Sequence, residues 1–246
     1  MKTKYKSIFL SDIHLGTSAC KAHLLNSFLK KNTAERFFLV GDIIDGWQMS
    51  KRIYFNKDQV EFIKKILKLS KDNVVIYVAG NHDEFLRKYL NEIPIIHNIV
   101  VVDQFDYYSV NNNRYLVIHG DQFDFLMHNS KWVMHVGDFL YTLLIQLNSI
   151  YNRCRKIFGY DYWSLSAFIK SKTKSALDFI FSFKKNLTDW SKSHGYKGVI
   201  CGHIHTAEIS QILDVEYMNC GDWVESCTAL VETLEGEWKI IKWTGE

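Results

Sequence analysis

Five short apolar runs in this chain each end in a cluster of polar residues, and that recurrence constrains the fold more than any other feature. "YKSIFL" (Tyr5–Leu10) leads into "SDIHLG", which carries Asp12 and His14. "RFFLV" (Arg36–Val40) leads into "GDIIDGW", with Asp42 and Asp45, and "NVVIYV" (Asn73–Val78) into "GNHDE", with Asn81, His82 and Asp83. "RYLVI" (Arg114–Ile118), after a turn at Asn111–Asn113, runs into "HGDQFD", headed by His119, and "KGVIC" (Lys197–Cys201) into "GHIH", with His203 and His205. Runs of this length, rich in β-branched and aromatic residues, read as buried strands. Helical spacing appears between them near Ala22–Lys31, where Leu24, Leu25, Phe28 and Leu29 share a side, and near Lys57–Ser70, through Val60, Ile63 and Leu67. Such alternation predicts an α/β fold.

After His119 the pattern changes. From about Phe123 to His194 the chain is mostly helical in pattern, strongly aromatic and without proline. Strands return near Glu208–Leu213 and in "EYMNC", "CTALVET" and "EWKIIKW", the last two joined by a turn at "LEGE". The expected organisation is a β-rich core from residues 1–122 and 195–246, with a helical insertion at 123–194, far longer than an ordinary loop.

With 246 residues, 47% of them hydrophobic, the core needs no disulfide staple. The five cysteines (Cys20, Cys154, Cys201, Cys220, Cys227) are scattered and never spaced as CxxC, which reads as reduced thiols in a cytoplasmic protein. "MKTKYKSIFLSDIH" has too short an apolar run for a signal peptide, and no run reaches the length of a membrane span. A net charge of +3 is too slight to imply nucleic acid by itself.

Open α/β sheets bind ligands beyond the carboxyl ends of their strands, so five polar strand ends can converge. Asp12 and His14, two apart, would share one face if the segment is extended. Seven groups, Asp12, His14, Asp42, Asn81, His119, His203 and His205, offer oxygen and nitrogen but no thiolate. Such a set suits Mn, Fe or Zn rather than an iron–sulfur centre or a closed structural zinc site. Seven ligands exceed what one catalytic ion needs, which implies two ions, with the "GHIH" pair split between them. Taken singly, the clusters are weak signals: tight turns alone would account for Gly41 and Gly80, and a core position for His119. Five in this order are not explained by turns.

Together, "SDIHLG", "GDIIDG", "GNHDE", "IHGD" and "GHIH" resemble the five blocks of the calcineurin-like metallophosphoesterases, a match spanning Asp12 to His205. The resemblance implies a four-layer α/β/β/α sandwich of two mixed sheets with a helical cap. It implies one divalent ion, manganese by preference, on Asp12, His14, Asp42 and His205, and a second on Asn81, His119 and His203, with Asp42 bridging. It also implies that His82 protonates the leaving oxygen as general acid while Asp45 orients its ring.

Within that superfamily the chain looks most like the branch containing UDP-2,3-diacylglucosamine hydrolases, by its size, by "GDWVES" (Gly221–Ser226) and by the insertion, which in that branch covers acyl chains. This implies cleavage of a pyrophosphate bond to UMP in lipid A synthesis, a lipid-linked substrate, and work in the cytoplasm or on the cytoplasmic face of the inner membrane. Arg153, Arg155, Lys156, Lys170, Lys172 and Lys174 would then meet phosphate or an anionic membrane surface, and Asp124, His128 and Asn129 are further substrate candidates. Asp222 and Trp223 would shape the rim of the site. One departure stands against that branch, which typically carries arginine where this chain has His82. A pyrophosphate expels a phosphate of pKa about 6 and needs little protonation, whereas an alkoxide gains much from a general acid. The alternatives are a monoesterase or diesterase acting on another phospholipid, a nucleotide or nucleic acid, and a binding scaffold without turnover.

Overall fold

In the computed structural model, residues 2–90, 95–123, 152, 155 and 174–245 are described. The chain divides into two compact units, Met1–Asp121 with Leu187–Glu246, and Gln122–Asn186. The described strands are β1 (Thr3–Leu10), β2 (Asn32–Val40), β3 (Val74–Val78), β4 (Ile95–Ile96), β5 (Ile99–Val102), β6 (Gln104–Tyr108), β7 (Arg114–Ile118), β8 (Gly198–Cys201), β9 (Glu208–Ile212), β10 (Val215–Asn219), β11 (Thr228–Glu232) and β12 (Trp238–Lys242). The described α-helices are α1 (Ala22–Lys31), α2 (Gly46–Lys51), α3 (Lys57–Leu69) and α4 (Lys174–Ser193). The fold is α/β with two mixed sheets, in the orders β12-β11-β1-β2-β3-β5-β4 and β6-β7-β8-β10-β9.

Strand alternation sorts side chains onto two faces of the larger sheet. Ile8, Leu10, Phe37, Leu39 and Val75 point one way and pack with Leu25, Phe28 and Leu29 of α1 and Phe62 and Ile66 of α3. Phe9, Phe38, Val40, Ile76 and Val78 point the other way and meet Tyr107, Tyr115, Val117, Ile200 and Met218 of the smaller sheet. Phe9 and Phe38 stack with centroids 4.6 Å apart in this inter-sheet layer. α3 starts where the Asn56 side chain accepts a hydrogen bond from Gln59 N at 2.9 Å, satisfying one of the donors that a helix start leaves unpaired.

Two directions position the site. β1, β2, β3 and β5 run parallel, as do β7, β8 and β10. β1 is exposed at its start and buried over its last four residues, so the chain enters the core just before Asp12.

The structure adds what the pattern does not show. β2 begins at Asn32, four residues before the apolar run, and β4, β5 and β6 fill a stretch in which no strand is expected. β4 has two residues, and β6 alternates exposed and half-buried positions with one buried residue, so neither makes an apolar run. Cys20, Cys201, Cys220 and Cys227 are buried free thiols. No helix among the described residues is long and apolar enough to cross a membrane.

Candidate active site

The polar loops do not continue the strands as extended chain. Asp12, His14, Asp42, His203 and His205 have φ of 51°, 51°, 53°, 69° and 53°, the left-handed region. The expectation that Asp12 and His14 share a face of extended chain is therefore wrong, because each residue turns the backbone. Such conformations cost about 1–3 kcal/mol each and persist only where the surroundings enforce them. Here the loops are laced together: Asp12 N donates to Gly41 O at 3.1 Å, His14 N to Asp42 O at 2.9 Å, and Leu15 N to Ile43 O at 2.8 Å. Turn geometry also does not account for the glycines alone. A Cβ on Gly80 would overlap Asp42 Oδ1, and one on Gly202 would overlap Ser11 Oγ, although neither residue needs positive φ. Gly41 combines a φ of 73° with contact against the His119 ring.

Asp42 lies at the centre. Its Oδ1 accepts His82 N at 2.8 Å, and its Oδ2 lies 3.3 Å from His119 Nε2 and 4.0 Å from both His14 Nε2 and His82 Nε2. On one side Asp12 Oδ1 is 3.0 Å from His205 Nε2 and 4.0 Å from His14 Nε2. On the other, the His203 ring stands edge-on to His119, with centroids 5.2 Å apart, while His205 lies beside His14 at 5.4 Å. The two "GHIH" rings thus diverge to opposite sides of Asp42.

Two of the imidazoles, His14 and His119, are aimed from behind. His119 Nδ1 sits 3.1 Å from Val40 O and His14 Nδ1 sits 3.2 Å from Asp45 Oδ2, which places the proton on Nδ1 and the lone pair on Nε2 in both rings. Asp12 Oδ1, His14 Nε2, Asn81 Oδ1 and His119 Nε2 are buried with no hydrogen-bond partner among the described residues. Buried polar atoms are almost always satisfied, so convergent orphans of oxygen and nitrogen type fit cations. Three overlapping sets hold ligand atoms within 4.8 Å of one another: Asp12, His14 and His205; Asp12, Asp42 and His119; and His14, Asp45 and His82. The donor set fits a dinuclear divalent-metal centre.

Without cations, protons take their place. Burial would lower His14 and His119, but Asp45 and Asp42 outweigh it and raise them to about 9 and about 10. Burial would raise Asp12, but His205, with its Nε2 3.0 Å from Asp12 Oδ1, outweighs it and brings it to about 2. Asp42 is likewise held well below the usual range, against its burial, by His119 and His82. The stability carried by raised histidines is complete below their ordinary 6.5 and is lost as pH rises through about 9 and 10. That of Asp12 is complete above its ordinary 3.8 and is lost as pH falls toward about 2. The chelated protein is therefore expected to lose melting temperature between pH 6.5 and 10, while Mn²⁺, which competes with those protons, binds more tightly over the same window. Thermal unfolding with chelator and with Mn²⁺ checks this, and a flat chelated profile would contradict it.

Asp45 does more than expected of it. Its Oδ2 lies 3.2 Å from His82 Nδ1 as well as from His14 Nδ1, and its Oδ1 accepts Gln48 N at 2.8 Å, capping α2. Burial would raise this carboxyl, and the two adjoining rings more than offset it. His82 also rests on the Trp47 ring, with centroids 4.1 Å apart.

Several supporting residues have no role assigned by sequence. Asp83, wholly buried, accepts Ile43 N at 2.9 Å, Gly80 N at 2.5 Å and Tyr77 Oη at 2.5 Å, and so joins the "GD" and "GN" loops. Asn219 donates to Gly202 O at 2.6 Å, bracing the "GHIH" loop. Ser11 Oγ donates to Asp12 Oδ2 and, at 2.6 Å, faces Val40 O. Ser11 and Asp83 could have been found as polar residues inside the motifs, whereas Asn219 ends an ordinary-looking strand. Asp222 and Trp223 do not form a rim: both are fully buried. Asp222 Oδ1 accepts the amides of Val224, Glu225 and Ser226, while Trp223 N donates to Asp12 O at 3.0 Å.

Asp124, His128, Asn129, Arg153, Lys156, Lys170 and Lys172 lie outside the described residues. Arg155 is half-buried, and Lys174 is the first residue of α4.

A family model described as calcineurin-like phosphoesterase matches residues 5–207. No curated protein sequence matches the chain. Similar solved structures include a hypothetical protein from Pyrococcus horikoshii OT3 (12% identity, TM-score 0.49, covering 98% of this chain and 88% of that one). Yfce, a phosphoesterase from E. coli, has 11% identity and a TM-score of 0.44, covering 96% and 98%. A novel archaeal phosphodiesterase has 16% identity and a TM-score of 0.42, again covering 96% and 98%.

Proposed function

The chain belongs to the calcineurin-like phosphoesterase family and is a metal-dependent hydrolase of phosphoester bonds, and from that premise we propose that its substrate is a phosphomonoester or phosphodiester whose leaving oxygen is protonated by His82. The observation that carries this reading is the placement of His82. Its Nδ1 lies 3.2 Å from a buried carboxylate, and its Nε2 is directed to within 4.0 Å of Asp42 Oδ2. Two divalent ions on these ligands, manganese by this reading, would lower the pKa of a water and offset charge on the phosphoryl oxygens. Asp12, His14, Asp42 and His205 would hold one ion, and Asp42, Asn81, His119 and His203 the other. Asp45 Oδ2, 3.2 Å from His82 Nδ1, would orient the ring so that Nε2 delivers the transferred proton to the leaving oxygen. The Trp47 ring lies against the same ring at a tilt of 36°.

A second reading is hydrolysis of UDP-2,3-diacylglucosamine to UMP. Its support is the basic and aromatic composition of the inserted segment, which would then hold the acyl chains of a lipid-linked substrate at the cytoplasmic face of a membrane. "GDWVES" supports it less, since Asp222 is occupied by the amides of its own turn and Trp223 N by Asp12 O. Mass-spectrometric product analysis with Mn²⁺-loaded protein separates the two. Cleavage of bis(4-nitrophenyl) phosphate and of alkyl phosphodiesters, with no UMP from UDP-2,3-diacylglucosamine, is the expected result. Rapid UMP release from the acylated compound alone would replace the first reading with the second, and no turnover of either would overturn both.

A further inference from the structure

Arg87 lies in a 3₁₀ turn, Glu84–Tyr89, directly after the "GNHD" loop, and its guanidinium makes four hydrogen bonds. Nη1 donates to Asp121 Oδ2 at 2.7 Å and Nη2 to Asp121 Oδ1 at 2.8 Å, a two-pronged grip. Nη2 also donates to Ala79 O at 3.0 Å, and Nε to Asp103 Oδ1 at 2.7 Å. Ala79 stands two residues before Asn81, and Asp121 two residues after His119. The first pair leaves the seven-stranded sheet at the end of β3, and the second leaves the five-stranded sheet at the end of β7. One side chain therefore ties together loops from different sheets that carry Asn81 and His119.

The pair is no solvated surface contact. The Asp121 side chain is 11% exposed and that of Arg87 24%, and a bidentate guanidinium–carboxylate pair fixes distance and angle together. With four of its five N–H donors committed, Arg87 has little left with which to grip a substrate phosphate.

We propose that Arg87 is a positioning residue for the second ion: its grip on Asp121 sets the separation of Asn81 Oδ1 and His119 Nε2, and so the affinity for the ion they share. This rests on the two-ion reading above. Groups behind metal ligands typically contribute roughly 10–100-fold in metal affinity. Lysine at this position would keep the charge and lose the fork.

The test is equilibrium dialysis of the chelated full chain against Mn²⁺, with bound metal counted by mass spectrometry. The unaltered protein is expected to bind two ions. In Arg87→Lys one of the two should weaken by roughly 10–100-fold while the other is unchanged. Asp121→Asn should do the same, and it serves alone should Arg87→Lys fail to fold. Two ions bound with unchanged affinity in the variants would overturn the clamp and leave the two-ion reading standing. Equal weakening of both ions would show general loosening and also overturn it. A single ion in the unaltered protein would overturn the two-ion reading and the clamp with it.

Discussion

Asp42→Asn is expected to lower kcat/KM by at least ~10³-fold, about 4 kcal/mol, and to leave fewer than two divalent ions on the purified protein. The variant isolates charge from shape. An amide oxygen can still take the place of Oδ1 and accept His82 N, now at 2.8 Å, so the junction of the "GD" and "GN" loops survives. What disappears is the negative charge at Oδ2, which faces His119 Nε2 at 3.3 Å and the Nε2 atoms of His14 and His82 at 4.0 Å. An amide offers two cations no net charge, and its NH₂ would point a donor at the position where they bind. The same substitution should lower His14 and His119 from about 9 and about 10 toward their ordinary 6.5, since Asp42 is a large upward influence on both. Metal counting by mass spectrometry, with hydrolysis of an aryl phosphodiester, checks both parts. Full turnover with two ions still bound would remove Asp42 from the centre of the chemistry.

How far the site could be read from sequence follows from which physical constraints leave a local trace. A strand buried on both faces must be an almost unbroken apolar run, so β1, β2, β3, β7 and β8 were visible, and so were the polar clusters at their ends. The candidate ligand atoms converge because β1, β2 and β3 are parallel, and β7 and β8 likewise. β4 and β6 left no such trace: both lie at sheet edges, β4 has two residues, and β6 is mostly exposed. Backbone conformation was the larger miss. Alternate positions such as Asp12 and His14 suggest extended chain, and only the hydrogen bonds between neighbouring loops, which pair distant residues, reveal left-handed turns there. For the same reason the close approach that Gly80 and Gly202 permit is invisible without knowing what lies opposite. Asp83 and Asn219 act across the fold, so their partners cannot be read from spacing. The "GDWVES" segment shows the reverse error: polar and aromatic letters beside a metal motif suggest an exposed rim, yet Asp222 is consumed by backbone amides and Trp223 lies in the core.

His82→Ala should separate proton donation from metal binding. For alkyl phosphoesters the loss in kcat is expected to be roughly 10²–10⁴-fold, the usual contribution of a general acid, with two ions still bound. For 4-nitrophenyl esters, whose leaving oxygen is a weak base, the loss should be far smaller. A plot of log kcat against leaving-group pKa should therefore steepen in the variant, a signature that loss of packing against Trp47 would not produce. Asp45→Asn cannot replace this variant, because the same Oδ2 lies 3.2 Å from both His14 and His82 and would disturb a metal ligand together with the acid. The outcome also bears on the substrate. An enzyme that expels phosphate from a pyrophosphate gains little from a nearby acid, so indifference of every substrate to His82→Ala would favour pyrophosphate cleavage over the monoester or diester reading. A uniform loss across all leaving groups would instead make His82 a binding or ordering group, held by Asp45 and Trp47 for contact with the phosphoryl oxygens rather than for proton transfer.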